Sequence, residues 1–294
     1  MPAVNEIAVT FGPDRRLSGT LTVPDTEMRP LGIVLLNAGV IHRIGPHRLN
    51  VKMARRLSEA GFASLRFDLS GQGDSRAADA GLPYREQSIL DLQAAMDQLG
   101  QSCGLRHFAV VGICSGADHG LACALQDDRI QGLWMLDGYA YPTWKTQALL
   151  YWKSLARRGP LGSVGWLVAK AWTLPALAAQ GLLRRRPQGD AISYGRPVPT
   201  VEEFSSQLEA LVARGVRICM TYSGSLLNTY NYQGQFMDVF GRHPWAARIE
   251  CHYTPHLDHT LTPLAAQEEA CHRVVHWATQ VGVPTTQVQS RRAA

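Results

Sequence analysis

Gly112-Ile113-Cys114-Ser115-Gly116 is the segment richest in chemistry. An apolar run, His107–Ile113, leads into it, and helical spacing follows from Ser115 to Leu125. A strand that turns sharply into a helix presents one side chain at the carboxyl end of the strand. Glycines flank that side chain because the turn has no room for a Cβ. In this register the presented residue is Cys114. Taking Ser115 instead puts Ile113 and Ala117 at the flanks, which fits worse. A thiol suits the place, since a helix amino end and a partner histidine both stabilise a thiolate.

A nucleophile of this kind needs a base, an orienting group and donors for the developing oxyanion. The base is expected after the last strand-like run, Arg248–Tyr253, where Asp258-His259-Thr260 precedes a helix; His259 is the candidate. Asp258 is adjacent to it and points elsewhere. The orienting group has two candidates. The loop after Val216–Tyr222 runs Ser223 to Tyr230 without a carboxylate, and Asn228 is its only side chain able to orient an imidazole. One strand earlier, Leu133–Gly138 ends on Asp137. Asp137 is preferred because a carboxylate both orients and stabilises imidazolium; Asn228 stands as the alternative. The backbone N–H of Ser115 and that of Gly39 or Val40, in Asn37-Ala38-Gly39-Val40, are expected to bind the oxyanion. His42 and Trp144 are expected to meet the substrate. His252, His256 and His259 make a loop H-x3-H-x2-H, a weak metal signature without an accompanying cysteine pair; no metal or other cofactor is expected.

These residues need a scaffold that brings strand ends together. Strand-like segments (7–10, 17–23, 31–36, 62–68, 107–113, 130–136, 216–222, 248–253) alternate with helical ones (46–60, 84–99, 115–125, 201–213, 230–240, 262–281). Repeated strand–helix crossovers imply an α/β fold with a mostly parallel central sheet flanked by helices. After the sixth strand the alternation breaks. From Tyr139 to Pro199 only helical periodicity remains, with Trp144, Trp152, Trp166 and Trp172. We therefore expect a core of residues 1–138 and 200–282, a helical cap over 139–199 that shapes an apolar pocket, and a tail over 283–294.

Composition limits the alternatives. The chain has 294 residues, 46% of them hydrophobic and 18% charged, enough for a large core and not a disordered protein. Its net charge of +5 is concentrated in arginine clusters such as Arg184-Arg185-Arg186. Such clusters suit solvated turns, or contact with an acidic carrier or lipid. Six scattered cysteines without C-x-x-C indicate free thiols in a reducing, cytoplasmic setting. No signal peptide is read at the start. The apolar stretch Gly159–Leu183 carries Lys170 and Pro175 and reads as lid rather than span. Neither nucleic-acid binding nor stable membrane insertion is expected.

Asn37–His47, Phe67-Asp68-Leu69-Ser70-Gly71-Gln72-Gly73-Asp74-Ser75 and Gly112–Ala117 together resemble the exosortase A system-associated hydrolases, of the alpha/beta-hydrolase superfamily. These lie near its serine-aminopeptidase-like and monoacylglycerol-lipase-like branches. The Phe67–Ser75 loop is similar to the superfamily's common F-D-x-x-G-x-G-x-S pattern and speaks for the fold. The resemblance covers roughly residues 17–137 and 216–281. A cysteine in this turn is also similar to dienelactone hydrolases. The resemblance implies a hydrolase or acyl-transfer enzyme tied to exopolysaccharide or secondary-metabolite pathways.

The thiol narrows the chemistry further. When a thiolate adds to an ordinary ester or amide, sulfur is the better leaving group and the adduct collapses backwards. Thioesters and enol esters escape this. The leading expectation is hydrolysis of an activated acyl substrate, thioester or ester, through an acyl-cysteine. The acyl group would arrive as a small-molecule, CoA or carrier-protein thioester. Alternatives are acyl transfer or cyclisation onto an amine or hydroxyl, lactone hydrolysis, and a non-catalytic binding protein on the same fold.

Overall fold

The computed structural model describes residues 5–78, 81–156 and 197–281. Eight strands form one sheet: β1 (Asn5–Phe11), β2 (Leu17–Val23), β3 (Gly32–Leu36), β4 (Ser64–Phe67), β5 (Phe108–Ile113), β6 (Ile130–Leu136), β7 (Arg217–Ser223) and β8 (Glu250–Thr254), in the order β1-β2-β4-β3-β5-β6-β7-β8. β1 and β2 pair antiparallel, as do β2 and β4. All other pairs are parallel. The helices are α1 (Leu49–Glu59), α2 (Tyr84–Cys103), α3 (Ser115–Ala124), α4 (Val201–Ala213), α5 (Gln235–Phe240) and α6 (Leu264–Ala278).

The sequence of β5, Phe-Ala-Val-Val-Gly-Ile, explains its central place: every residue is buried. A strand covered on both faces needs apolar side chains pointing both ways. Phe108 and Val110 join one core with residues of α2, α3 and α4. Ala109, Val111 and Ile113 join the other with residues of α1 and α6. The parallel strands β3, β5, β6, β7 and β8 therefore all deliver their carboxyl ends to one rim.

Several expected boundaries shift for local reasons. The helix expected from Pro46 begins at Leu49, because His47 and Arg48 adopt left-handed backbone angles (φ 51° and 61°). The one expected over 230–240 is reduced to Gln235–Phe240. There the Gln235 side chain accepts from Asn231 N–H at 3.0 Å, replacing a helical bond. The core resumes at Thr200, whose hydroxyl accepts from Glu203 N–H while the Glu203 carboxylate accepts from Thr200 N–H, a complete capping box.

Between β6 and α4, residues 144–156 are helical. The rest of the expected cap, with Trp166 and Trp172, and the expected tail lie outside the described residues. Among the described residues no helix is long and apolar enough to cross a membrane.

Candidate active site

Cys114 sits at φ 54° and ψ −118°, between β5 and α3. An L-residue reaches that conformation only when its surroundings impose it. The imposing contacts are at its flanks. A Cβ on Gly112 would lie 2.5 Å from the Ala117 nitrogen, and one on Gly116 would lie 2.5 Å from the Asn37 carbonyl oxygen. Both glycines are sterically required at this turn. The Cys114 N–H donates to the Leu136 carbonyl at 2.8 Å, tying the turn to the end of β6.

One residue beyond that carbonyl stands Asp137, fully buried and itself at φ 53°. Its Oδ2 accepts from His259 Nδ1 at 2.7 Å. The imidazole also hydrogen-bonds the Cys114 sulfur. Cys114, His259 and Asp137 thus form one hydrogen-bonded chain. The Asp137 carboxylate, followed by the Cys114 sulfur, pushes the His259 pKa up to about 10, against the opposing effect of burial. A charged imidazolium at neutral pH is the consequence. Among the other thiols, burial pushes Cys271 up to about 11 and Cys123 and Cys251 up to about 12.

The loop after β7, which has no carboxylate, holds this chain in place. Ser223 donates to Asp137 twice, from N–H to Oδ1 and from its hydroxyl to Oδ2, each at 2.7 Å. Gly224 N–H donates to the Leu257 carbonyl at 2.8 Å, and the Ser225 hydroxyl accepts from His259 N–H at 2.9 Å. Ser223-Gly224-Ser225 therefore clamps both the acid and the histidine loop. Sequence reasoning missed these serines. Their signal was their place, directly at the end of an apolar strand on the same rim.

The loop after β3 also reaches the turn. Gly39 N–H donates to the Ser115 hydroxyl at 2.6 Å. Gly39 and Val40 form the corners of a turn closed by Ile41 N–H on the Ala38 carbonyl, and Val40 is 80% exposed. Asn37 braces the loop, giving Nδ2 to the His42 carbonyl and accepting from Asn50 Nδ2, both at 2.7 Å. Arg43 ties it to the Phe67–Ser75 segment, where the buried Asp68 receives the guanidinium and the Arg43 N–H. Gly73, at φ 50°, packs directly on that carboxylate. The glycine pattern of this segment thus serves the support of the β3 loop.

The model of the alpha/beta hydrolase fold family matches residues 34–177. Solved structures agree along nearly the whole chain. An esterase from Pyrococcus furiosus aligns with a TM-score of 0.55 at 15% identity, covering 95% of this chain and 93% of its own. This chain has the alpha/beta-hydrolase fold. An alpha-beta serine hydrolase homologue from Coxiella burnetii is similar at a TM-score of 0.54 and 11% identity, over 92% of this chain and 96% of that one. A proline iminopeptidase from Mycobacterium smegmatis aligns at 0.52 and 18%, over 94% and 98%. No curated protein matches the sequence.

Other expected site residues fall elsewhere in this hydrolase fold. Asn228 is exposed in the turn after β7 and has no hydrogen bond to His259; Asp137 holds that nitrogen instead. Trp144 is 76% exposed and Trp152 71%. His42 is held in a cluster with Asp68 and Asp74, with the Arg43 guanidinium bonded to all three residues. A side-chain cation already fills that set, which leaves no place for a metal. The H-x3-H-x2-H histidines diverge: His256 pairs with Glu269 at 2.7 Å, His259 with Asp137, and His252 faces Glu250.

Proposed function

We propose that this chain is a hydrolase of activated acyl substrates, thioesters first, working through an acyl-Cys114 intermediate. The observation that carries this reading is the Cys114–His259–Asp137 chain at a turn with strained backbone. His259 holds the proton of the pair at Nε2, and the Cys114 sulfur is the nucleophile. The sulfur attacks the acyl carbon, and the carbonyl oxygen becomes an oxyanion bound by the N–H groups of Ser115 and Val40, the Gly39 N–H being engaged by the Ser115 hydroxyl. The adduct collapses by breaking the bond to the leaving group, which takes the proton from His259 Nε2. The imidazole, now neutral, removes a proton from water. The hydroxide so formed attacks the thioester carbon, and the second collapse releases the carboxylic acid and restores thiolate and imidazolium. Asp137 keeps Nδ1 protonated and balances the positive ring throughout.

Esterases among the similarly folded proteins are consistent with acyl chemistry, as is the match to the alpha/beta-hydrolase model. A CoA or carrier-protein thioester fits the thiol's need for a good leaving group. Resemblance to exosortase A system-associated hydrolases supports a place in exopolysaccharide-linked or secondary-metabolite biosynthesis.

The test is a panel of acyl thioesters assayed with wild-type and Cys114→Ala protein. Loss of activity on the order of 10⁴-fold or more is expected, as for removal of a nucleophile. Intact-mass measurement of acid-quenched wild-type turnover should show one acyl group on Cys114. Full activity in Cys114→Ala, or no adduct in any quenched sample, overturns the reading.

A further inference from the structure

A second group of ligating side chains lies away from the rim, on the face of the sheet at its β8 edge. β7 and β8 are in register with Cys219 beside Glu250 and Thr221 beside His252. Alternation along each strand puts Cys219 and Thr221 on one face, with Glu250 and His252 beside them. The Cys219 sulfur and ligating atoms of Glu250 and His252 all lie within 4.8 Å of one another. His252 Nε2 stands 4.0 Å from Glu250 Oε2. That is too far for a hydrogen bond but within the span of two bonds of about 2.0–2.2 Å to one ion. Arg217 engages the other carboxylate oxygen, Oε1, and so fixes the orientation of Oε2.

The donors differ in access. Cys219 is 3% exposed, whereas the side chains of His252 and Glu250 are 39% and 21% exposed.

We propose that Cys219, Glu250 and His252 bind a zinc-class divalent cation, with water as the fourth ligand. Mixed sulfur, nitrogen and oxygen donors suit a borderline ion and exclude magnesium or calcium. On binding, the S–H bond breaks, its proton leaves to solvent, and a metal–sulfur bond forms. Thiolate and carboxylate neutralise the two charges of the ion. The ion ties the edge strand β8 to β7 upstream of Ser223 and of the His259 loop. Its role is structural, and it does not depend on the hydrolase reading.

Cobalt(II) is the probe, added to full-length Cys114→Ala protein so that the thiol beside His259 cannot contribute. One equivalent should produce a thiolate-to-cobalt band in the near ultraviolet and tetrahedral visible bands, both erased by zinc. The band should vanish in Cys114→Ala/Cys219→Ser. His252→Ala, at a half-exposed position that tolerates change, should weaken cobalt binding about tenfold or more while the melting curve without metal is unchanged. Zinc should raise Tm in the parent and leave the Cys219→Ser protein unmoved. No band, a band that survives loss of Cys219, or cobalt affinity unaltered in His252→Ala overturns the proposal.

Discussion

The ends of β6 and β7 lie side by side on the rim and divide one task. β6 ends on Asp137, the buried carboxylate that meets His259. β7 ends on Ser223-Gly224-Ser225, which has no acid and supplies donors and an acceptor instead. A carboxylate buried without partners is costly, and its charge is tolerated only when hydrogen bonds replace lost water. The comparison teaches that the acid and the groups that hydrogen-bond it sit on different strands. Either alone would be incomplete.

The comparison can be broken most forcefully at Asp137. Asp137→Asn keeps the shape but removes the charge and disturbs the tautomer of His259. A fall in kcat on the order of 10³–10⁴-fold is expected in a thioester assay. A fall of only a few-fold would return the orienting role to β7.

The pH dependence of stability offers a second measurement. His259 rises from its ordinary 6.5 to about 10 in the folded protein, chiefly through Asp137. A raised pKa contributes stability that is fully present below 6.5 and is lost as pH climbs through about 10. The Tm gap between wild type and Asp137→Asn should therefore narrow steadily over that window. A gap that stays constant means the pair does not titrate as described.

Ser223→Ala removes the hydroxyl donor and leaves the Ser223 N–H on Asp137. Loss of one hydrogen bond to a charged group is worth about 1.5 kcal/mol, which corresponds to roughly tenfold in kcat. KM should stay near its wild-type value, because the serine does not touch substrate. At the small end, Asn228→Ala should alter kcat/KM by less than about twofold, as for an exposed side chain. A larger loss would put a second orienting group on β7.

Much of this was legible in the residues. Cys114, His259 and Asp137 each follow a recognisable apolar run, and a parallel sheet gathers such positions on one rim. The preference for Asp137 over Asn228 rests on the chemistry of a carboxylate alone, because sequence does not show how the two loops lie across the rim. Ser223 escaped notice because a serine after a strand looks the same whether it caps a turn or serves a buried acid. Trp144, read as a pocket lining from its tryptophan-rich surroundings, stands 76% exposed. Composition records how apolar a helix is, not which side of it faces inward. The Cys219, Glu250 and His252 set was invisible for a related reason, since strand register alone brings a cysteine from one segment beside two residues of another.

The backbone of Cys114 carries a final implication. Its φ of 54° and ψ of −118° suit glycine far better than any residue with a Cβ. Strain of this kind costs on the order of 1–3 kcal/mol. Selection for thermal endurance alone would set glycine at position 114 and gain stability by it. Under the proposed function, the side chain kept there gives up robustness for reactivity, and the most stable version of this chain would be an inert one.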